Sequence, residues 1–317
     1  MTLKPSSWIW HHGKLIPWPD AQVHVLSHAL HYGSSVFEGI RTYATADGPV
    51  FFRLADHLRR LFASARIHHM AVPFTYAEIE TACHAVIRGN HLQSAYIRPL
   101  VYVGYGSLGV VPADGLVCAS VAAFEWGAYL GEETREQGAK ASVSSWRRPA
   151  PDTLPTMAKA GGNYLSSTLM SREAKRLGFD EAIALDCHGF LSEGPGENLF
   201  LVRDGVVYTP AAHHAILPGI TRDSVIQLLE AQGFKVREQT LPREWLYLAD
   251  ELFFTGTAAE VVPICAIDGL TVGKGVRGPV TTEIQKAFFD LVNGFTPDPF
   301  GWLEPVAEVK ALAEVGS

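Results

Sequence analysis

Lys159 is the residue whose sequence neighbours best suit covalent chemistry. The segment 156–164 reads TMAKAGGNY, so the lysine stands between small residues and away from other charges. A lysine that forms a Schiff base needs a depressed pKa and close approach by a planar carbonyl compound, and small neighbours permit that approach. Taken alone, the segment is better explained as a surface lysine before a Gly-Gly turn, so the chemistry needs further groups.

Two carboxylates follow in the segment 191–200, LSEGPGENLF. A carboxylate beside the ring nitrogen of a pyridine cofactor such as pyridoxal 5′-phosphate (PLP) keeps that nitrogen protonated, and the ring then acts as an electron sink. Glu193, at a predicted strand end before a Gly-Pro-Gly turn, is the candidate for this role. A loop charge is the alternative, and for Glu197 a role in bracing the turn is at least as good an explanation.

Two turns offer hydrogen-bond donors for a phosphate group. The residues 217–221, LPGIT, lead into a predicted helix, whose first N–H groups and dipole favour an anion. The turn 256–260, GTAAE, follows an apolar strand and offers the Thr257 hydroxyl with more backbone donors. Each turn alone is a common connection between secondary-structure elements. The lysine, the carboxylates and the two turns in this order along one chain are an uncommon combination.

The composition narrows the class of protein. Twenty-six lysines and arginines against 33 acidic residues give a net charge of −7, which argues against nucleic acid or an anionic membrane as a partner. The N-terminus lacks the apolar core of a signal peptide, and no stretch approaches the roughly 20 apolar residues of a membrane span. The four cysteines are scattered, with no CxxC pair and no histidine at zinc-ligand spacing. We therefore expect a cytoplasmic protein without a metal site.

The pattern of elements predicts an α+β protein of two domains. A β-prone hairpin at 8–16, helical periodicity near 56–69 and 79–87, and strands at 95–103 and 117–124 predict a first domain over residues 1–124. The polar segment 125–137 has little periodicity and is the expected linker. Short strands between helical patterns predict a second domain over 138–317 with a barrel-like or strongly curved sheet.

Six motifs, in one order, resemble those of branched-chain amino-acid aminotransferases, which are fold-type IV (class IV) PLP enzymes. The resemblance extends from Trp8 to about Trp302, and it implies a smaller α/β sandwich domain and a larger pseudo-barrel domain that binds PLP. The motifs are 31–41 (HYGSSVFEGIR), 96–99 (YIRP), 158–164 (AKAGGNY), 193–198 (EGPGEN), 217–222 (LPGITR) and 256–260 (GTAAE).

The resemblance implies how PLP would be held. Lys159 would form the internal aldimine, and Glu193 would pair with the pyridine nitrogen. Arg60 would bind the phosphate, rather than Arg59, because it directly precedes Leu61 as in the family's helix; a solvated helix face is the alternative for both arginines. The other cofactor contacts would be Tyr164 at the 3′-oxygen, Leu217 on the ring, and Ile220, Thr221 and Thr257 at the phosphate.

The resemblance also implies a substrate pocket. Tyr32 and Val110 would come from a neighbouring subunit, which requires at least a homodimer and is compatible with a hexamer. Core packing is the alternative for the aromatic residues of the set. The residues around the substrate side chain would be Phe37, Gly39, Tyr96, Arg98, Trp126 and Tyr129, and the α-carboxylate would meet the N–H groups of Thr257, Ala258 and Ala259.

The implied reaction is transamination in two half-reactions at one site. Leucine, isoleucine or valine gives its amino group to PLP, and 2-oxoglutarate takes it up to become glutamate. Lys159 would move the proton between the substrate Cα and the cofactor C4′. The loop 104–115 looks slightly shorter than in the relatives, which leaves the substrate preference open.

Several other functions fit parts of this pattern. A D-amino-acid aminotransferase, an amine transaminase and an aminodeoxychorismate lyase share the fold type, but Tyr96 and Arg98 favour the branched-chain enzymes. A non-catalytic protein that binds anions or nucleotides through these glycine-rich turns is a candidate from another class. The sequence lacks the GxxxxGK[ST] and GxGxxG fingerprints that such a protein would usually carry.

Overall fold

The computed structural model describes residues 3–127 and 131–308, and the predicted substrate residue Tyr129 lies outside these ranges. Contacts divide the chain into two compact units, the first comprising residues 1–126, 158–162 and 292–317 and the second 127–157 and 163–291. Helices and strands alternate through both units, and the predicted α+β class with two domains is confirmed.

In chain order, the elements up to the middle of the chain are β1 (Trp8–His11), β2 (Lys14–Pro17), α1 (His28–Tyr32), β3 (Ser35–Phe37), β4 (Ile40–Thr45), β5 (Gly48–Phe52), α2 (Leu54–Ile67), α3 (Tyr76–Gly89), β6 (Ala95–Val103), β7 (Val117–Phe124), α4 (Glu132–Gln137) and β8 (Ala139–Arg147). They are followed by α5 (Tyr164–Arg176), β9 (Glu181–Leu185), β10 (Asn198–Arg203), β11 (Val206–Pro210), α6 (Ile220–Ala231), β12 (Lys235–Gln239), β13 (Glu251–Gly256), β14 (Glu260–Ile267), β15 (Leu270–Thr271), α7 (Pro279–Val292) and β16 (Leu303–Pro305).

The first unit is built on an antiparallel sheet with the strand order β16-β5-β4-β6-β7-β1-β2, and β3 pairs with β6. The helices α2 and α3 each carry an apolar face, with Leu58, Leu61, Ile79 and Val86 fully buried in one core with the sheet residue Ile97. The same helix α2 also carries polar residues of the candidate site, so its packing sets their position.

The second unit is built on a mixed sheet with the strand order β12-β11-β10-β13-β14-β8-β9. The pairs β11–β12, β14–β8 and β8–β9 are parallel, whereas the pairs β10–β11, β10–β13 and β13–β14 are antiparallel. Strands β9, β10 and β13 are almost wholly buried, so apolar residues stand on both of their faces. In the part of the chain that the structure describes, no helix is both long and apolar enough to cross a membrane.

The units differ from the sequence-predicted division in three places. The segment 158–162, assigned from the sequence to the second domain, belongs to the first unit because Ala160 bridges to Val36 of β3. The C-terminal segment from Val292 also belongs to the first unit, since β16 pairs with β5. The segment 125–137, predicted as a linker without periodicity, contains the helix α4, whose six residues are too few to produce a helical pattern.

Candidate active site

Lys159 is held by its backbone in the first unit. Its N–H donates to Ser64 Oγ at 3.0 Å, and its carbonyl accepts from the N–H of Phe37 at 3.0 Å. A Cβ on Gly161 would lie 2.4 Å from Ser35 Oγ, so this glycine permits the close approach of the segment to β3. The Lys159 Nζ lies 4.9 Å from the centroid of the Phe37 ring. The amine is therefore placed against an apolar ring by a backbone that is fixed on both sides.

An aromatic cluster in the same unit contains five of the six residues predicted to surround the substrate side chain. Tyr96 and Trp126 pack with ring centroids 4.9 Å apart, and the guanidinium carbon of Arg98 lies 4.7 Å from the Phe37 ring centroid. Gly39 is required by sterics, because a Cβ at this position would lie 1.7 Å from the Tyr96 hydroxyl oxygen. The fold thus brings Phe37, Gly39, Tyr96, Arg98 and Trp126 together.

Arg98 has donor capacity that the described residues do not fill. Its Nη2 donates to the Tyr96 hydroxyl at 3.3 Å, whereas its buried Nε has no hydrogen-bond partner among residues 3–127 and 131–308. Buried polar groups of this kind are normally paired, so an unpaired nitrogen in a substrate pocket is suited to a ligand oxygen.

Arg60 is paired with a carboxylate that the sequence reasoning did not assign. Its Nε and Nη2 donate to the two oxygens of Glu38 at 2.6 and 2.9 Å, and His57 Nδ1 lies 2.7 Å from Glu38 Oε2. Burial would raise the pKa of Glu38, but the Arg60 charge and the hydrogen bonds from His57 and Arg60 outweigh it and hold that pKa well below its ordinary value. Burial lowers the pKa of His57 despite the opposing effect of Glu38. The cluster therefore contains a carboxylate, a guanidinium and a neutral imidazole at neutral pH.

Glu193 lies in the second unit and is buried with its hydrogen-bond partners. Arg148 Nη2 lies 2.9 Å from Oε1, while Asn198 Nδ2 and the N–H of Leu217 donate to Oε2 at 2.9 and 3.0 Å. Arg148 is itself held by the Ala215 carbonyl, which accepts from its Nε at 3.2 Å. Three donors stabilise the carboxylate over the carboxylic acid, so Glu193 suits a cationic ring nitrogen. Glu197 instead accepts from the N–H of Gly196 at 3.0 Å, within the turn.

The helix α6 begins at Ile220, next to the groups that hold Glu193. A Cβ on Gly219 would lie 1.9 Å from Asn198 Oδ1, so the glycine leaves room for the amide that donates to Glu193. Thr221 is buried in the first turn of the 12-residue helix, where backbone N–H groups are available to an anion. One close-packed corner therefore joins the Glu193 carboxylate to the start of α6.

The remaining predicted residues lie in turns or at the ends of helices. Thr257, Ala258 and Ala259 form the turn between β13 and β14, and Glu260 follows with a φ of 64°. Tyr164 is half-buried at the start of α5. Tyr32 and Val110 are 48% and 79% exposed in the first unit, where the Tyr32 hydroxyl donates to the Leu108 carbonyl at 2.9 Å. The predicted set is therefore divided between the two units, with Lys159 and the aromatic cluster in the first and Glu193 in the second.

Sequence reasoning missed Glu38, His57, Ser64, Arg148 and Asn198. A signal for Glu38 exists, because a charged residue inside the apolar run 36–40, VFEGI, is expected only where it is paired. His57 and Ser64 stand at helical spacing from Arg60, which also places them on its face. The residues next to Arg148 in the sequence do not indicate that it is buried or paired.

Comparison with known proteins identifies the family. Residues 35–267 match the amino-transferase class IV family model. The branched-chain-amino-acid aminotransferase of Salmonella typhimurium is 56% identical over 307 residues, which cover 96% of this chain and 99% of that protein. The chain therefore belongs to the class IV aminotransferases.

Solved structures agree with this assignment. A crystal structure of the Escherichia coli branched-chain amino acid aminotransferase is 55% identical, with a TM-score of 0.94 over 95% of this chain and 100% of that one. The branched-chain amino acid aminotransferase of Thermobaculum terrenum, solved in its PLP form, is 36% identical, with a TM-score of 0.89 over 96% and 99%. The donor set fits PLP, since Lys159 and Arg60 suit an aldehyde and a phosphate and the buried Glu193 suits a pyridinium nitrogen.

Proposed function

We propose that this enzyme transfers the amino group of leucine, isoleucine and valine to 2-oxoglutarate, with PLP carried by Lys159. The observation that carries the proposal is the Lys159 amine, set 4.9 Å from the Phe37 ring beside an aromatic pocket that contains one arginine. Among the described residues, an aromatic cluster that also contains a guanidinium matches substrates that are either aliphatic or acidic. The 56% identity to a branched-chain enzyme supports the same substrate class.

Lys159 and Glu193 have different roles in the proposed reaction. PLP, when bound, supplies an electron sink for the electron pair released at the substrate Cα. Lys159 moves the proton from Cα to the cofactor C4′, because its backbone contacts to Ser64 and Phe37 fix where the amine can act. Glu193 holds the proton at the pyridine nitrogen. Its three donors favour the carboxylate form, which keeps this proton on the nitrogen.

The phosphate and ring contacts come from several elements. Arg60 and the first N–H groups of α6 at Ile220 and Thr221 bind the phosphate together with the Thr257 hydroxyl. Leu217, whose N–H donates to Glu193, packs on the ring, and Tyr164 donates to the 3′-oxygen.

Substrate recognition uses the aromatic cluster. Phe37, Gly39, Tyr96 and Trp126 form the wall for an aliphatic side chain, and the turn Thr257 to Ala259 binds the α-carboxylate. The same role as for the wall is expected of Tyr129, which lies outside the described residues. The distal carboxylate of glutamate binds Arg98, whose Nε has no partner among the described residues. One pocket therefore accepts both substrates, since the apolar wall and the arginine are different parts of it.

A homodimer, or a hexamer built from dimers, completes the site in this proposal, with Tyr32 and Val110 contributed by the neighbouring subunit. Large apolar residues are exposed around both positions, including Val25, Leu30 and Val111 at 73%, 61% and 84% exposure. A reducing, cytoplasmic location is supported by the free thiols of Cys83, Cys118, Cys187 and Cys265. The acidic net charge of −7 supports small molecules as the ligands.

The test combines a spectrum with a donor panel. The purified enzyme should be yellow, L-leucine should change its absorbance in the absence of an acceptor, and D-leucine and simple amines should not. Lys159→Ala should lose turnover and regain part of it with an added small amine. Equal rates with D-leucine would indicate the D-amino-acid enzymes of the same fold type, and undiminished turnover by Lys159→Ala would exclude this lysine.

A further inference from the structure

Glu38 and His57 stand behind Arg60, and neither has a role in the function proposed above. Glu38 is fully buried and the His57 side chain is 1% exposed, whereas Arg60 is 13% exposed. Of the three residues, Arg60 is the one that a ligand can reach.

The Glu38 carboxylate fixes the plane of the Arg60 guanidinium. Arg60 Nε donates to Oε1 and Nη2 donates to Oε2, and a two-point contact of this kind restricts rotation. His57 Nδ1 and the N–H of Gly39 lie 2.7 and 3.2 Å from Oε2, so the carboxylate is held from further directions. Because a guanidinium carries five N–H donors, two bonds to one carboxylate do not exhaust its capacity to donate.

The same face of α2 also contacts the backbone of Lys159. His57, Arg60 and Ser64 are spaced by three and four residues, so their side chains lie on one side of the helix. Ser64 Oγ accepts the Lys159 N–H at 3.0 Å. One rigid element therefore carries both the proposed phosphate ligand and a contact to the proposed PLP lysine.

The charge of Glu38 opposes any role in attracting an anion. A carboxylate 2.6 Å from the arginine weakens the field that a phosphate meets, so its benefit must lie elsewhere. A buried arginine without a counter-ion would be strongly unfavourable and would turn toward water. The Glu38 carboxylate thus weakens the attraction of Arg60 for an anion but fixes the direction in which its guanidinium points.

We propose that Glu38, held by His57, is a positioning residue that directs Arg60 toward the phosphate of PLP. This inference rests on the proposed role of Arg60. It assigns Glu38 and His57 to cofactor retention rather than to the transfer of protons.

The test measures the dissociation constants of PLP and of pyridoxal, which lacks the phosphate, on apo protein prepared from the holoenzyme. Glu38→Gln removes the charge at nearly constant shape, and Glu38→Asp keeps the charge but withdraws it by one methylene. Both should weaken PLP binding by about tenfold to hundredfold. Pyridoxal binding should stay within about twofold. Tighter PLP binding by Glu38→Gln would show that the repulsion between Glu38 and the phosphate outweighs the orientation of Arg60, and it would overturn the proposal. An unchanged ratio of the PLP and pyridoxal dissociation constants would overturn it as well.

Four further variants make the outcome specific. Asp56→Asn is the matched control, because Asp56 pairs with Arg53 at 2.6 Å on the same helix, and both affinities should be unchanged. His57→Asn, which retains a donor nitrogen, should lose less PLP affinity than His57→Leu. Arg60→Met separates the two failures. If it leaves the PLP-to-pyridoxal ratio unchanged, Arg60 does not bind the phosphate. If it weakens PLP binding relative to pyridoxal binding while the Glu38 variants do not, only the positioning role fails.

Discussion

Two arginine–glutamate pairs, one in each unit, have the same chemistry but differ in the exposure of their members. In the first unit the arginine is the more exposed partner, with Arg60 at 13% and Glu38 at 0%. In the second unit Arg148 and Glu193 are 6% and 7% exposed, and the glutamate is the proposed cofactor ligand. The member proposed to meet the cofactor differs because a phosphate calls for a cation and a pyridinium nitrogen calls for an anion.

The comparison indicates what the other member of each pair, Glu38 or Arg148, does. Each counter-ion stabilises a charge that the proposed site uses but that the interior would otherwise disfavour. The environments also differ, because a histidine supports the carboxylate of the first pair, whereas a side-chain amide supports that of the second; a backbone N–H donates to each.

The largest effect is expected for Arg148→Met. This change removes the Arg148 guanidinium from the buried Glu193 carboxylate, and breaking such a pair costs about 3–5 kcal/mol of stability. Urea unfolding of the apo protein measures the loss. The double variant Arg148→Met/Glu193→Gln should recover most of it, since the side chain at position 193 is then neutral. Arg60→Met should also destabilise, because it leaves the fully buried Glu38 carboxylate without its guanidinium; an unchanged unfolding free energy there would contradict the comparison.

The next effect concerns the arginine that lacks a carboxylate partner in the described residues. Arg98→Leu should lower kcat/KM for 2-oxoglutarate and glutamate by roughly 2–4 kcal/mol, while branched-chain 2-oxo acids stay within about tenfold. Both half-reactions are measured on one preparation, since a folding defect would lower them together. Equal losses for acidic and aliphatic substrates would mean that Arg98 is structural or binds the α-carboxylate that both share.

Glu193→Gln tests the second pair at the reaction itself. The amide cannot stabilise a protonated pyridine nitrogen, so the single-turnover rate with L-leucine should fall on the order of 10²-fold while the fold is kept. Far-ultraviolet circular dichroism controls for folding. If the rate is unchanged, the partner of the pyridine nitrogen must be sought elsewhere, and Glu197 is the first candidate.

The smallest effect distinguishes the pairs by pH. Burial lowers the pKa of His57 from 6.5, so the unfolded chain takes up a proton below pH 6.5 that the folded protein does not. Stability should therefore fall as the pH drops through this value, by at most about 1.4 kcal/mol per pH unit for one proton. The unfolding free energy of His57→Asn, measured from about pH 7.5 to 5.5 to span the ordinary histidine pKa, should show a shallower slope. An equal slope would assign the pH dependence to other groups.

Much of the local structure was determined by the sequence alone. The strands Ala95–Val103 and Val117–Phe124 have the predicted bounds, because apolar and β-prone residues dominate both segments between turn signals, although Arg98 and Pro99 interrupt the first. The helix predicted near 56–69 is α2, displaced by two residues, since helix ends depend on capping and not on the apolar face. The family and the cofactor also followed from the sequence, because six motifs retain their residues and order.

The tertiary structure alone decided which charges meet. Glu38 and Arg60 are 22 positions apart, and Lys159 reaches Ser64 across 95 positions. The pairing of the segment 158–162 with β3, and of Arg148 with Glu193, likewise leaves no periodic signal in the chain. The physical reason is that helix and strand periodicity arises from neighbours a few residues apart, whereas a buried ion pair depends on where the packed sheets and helices bring distant segments together.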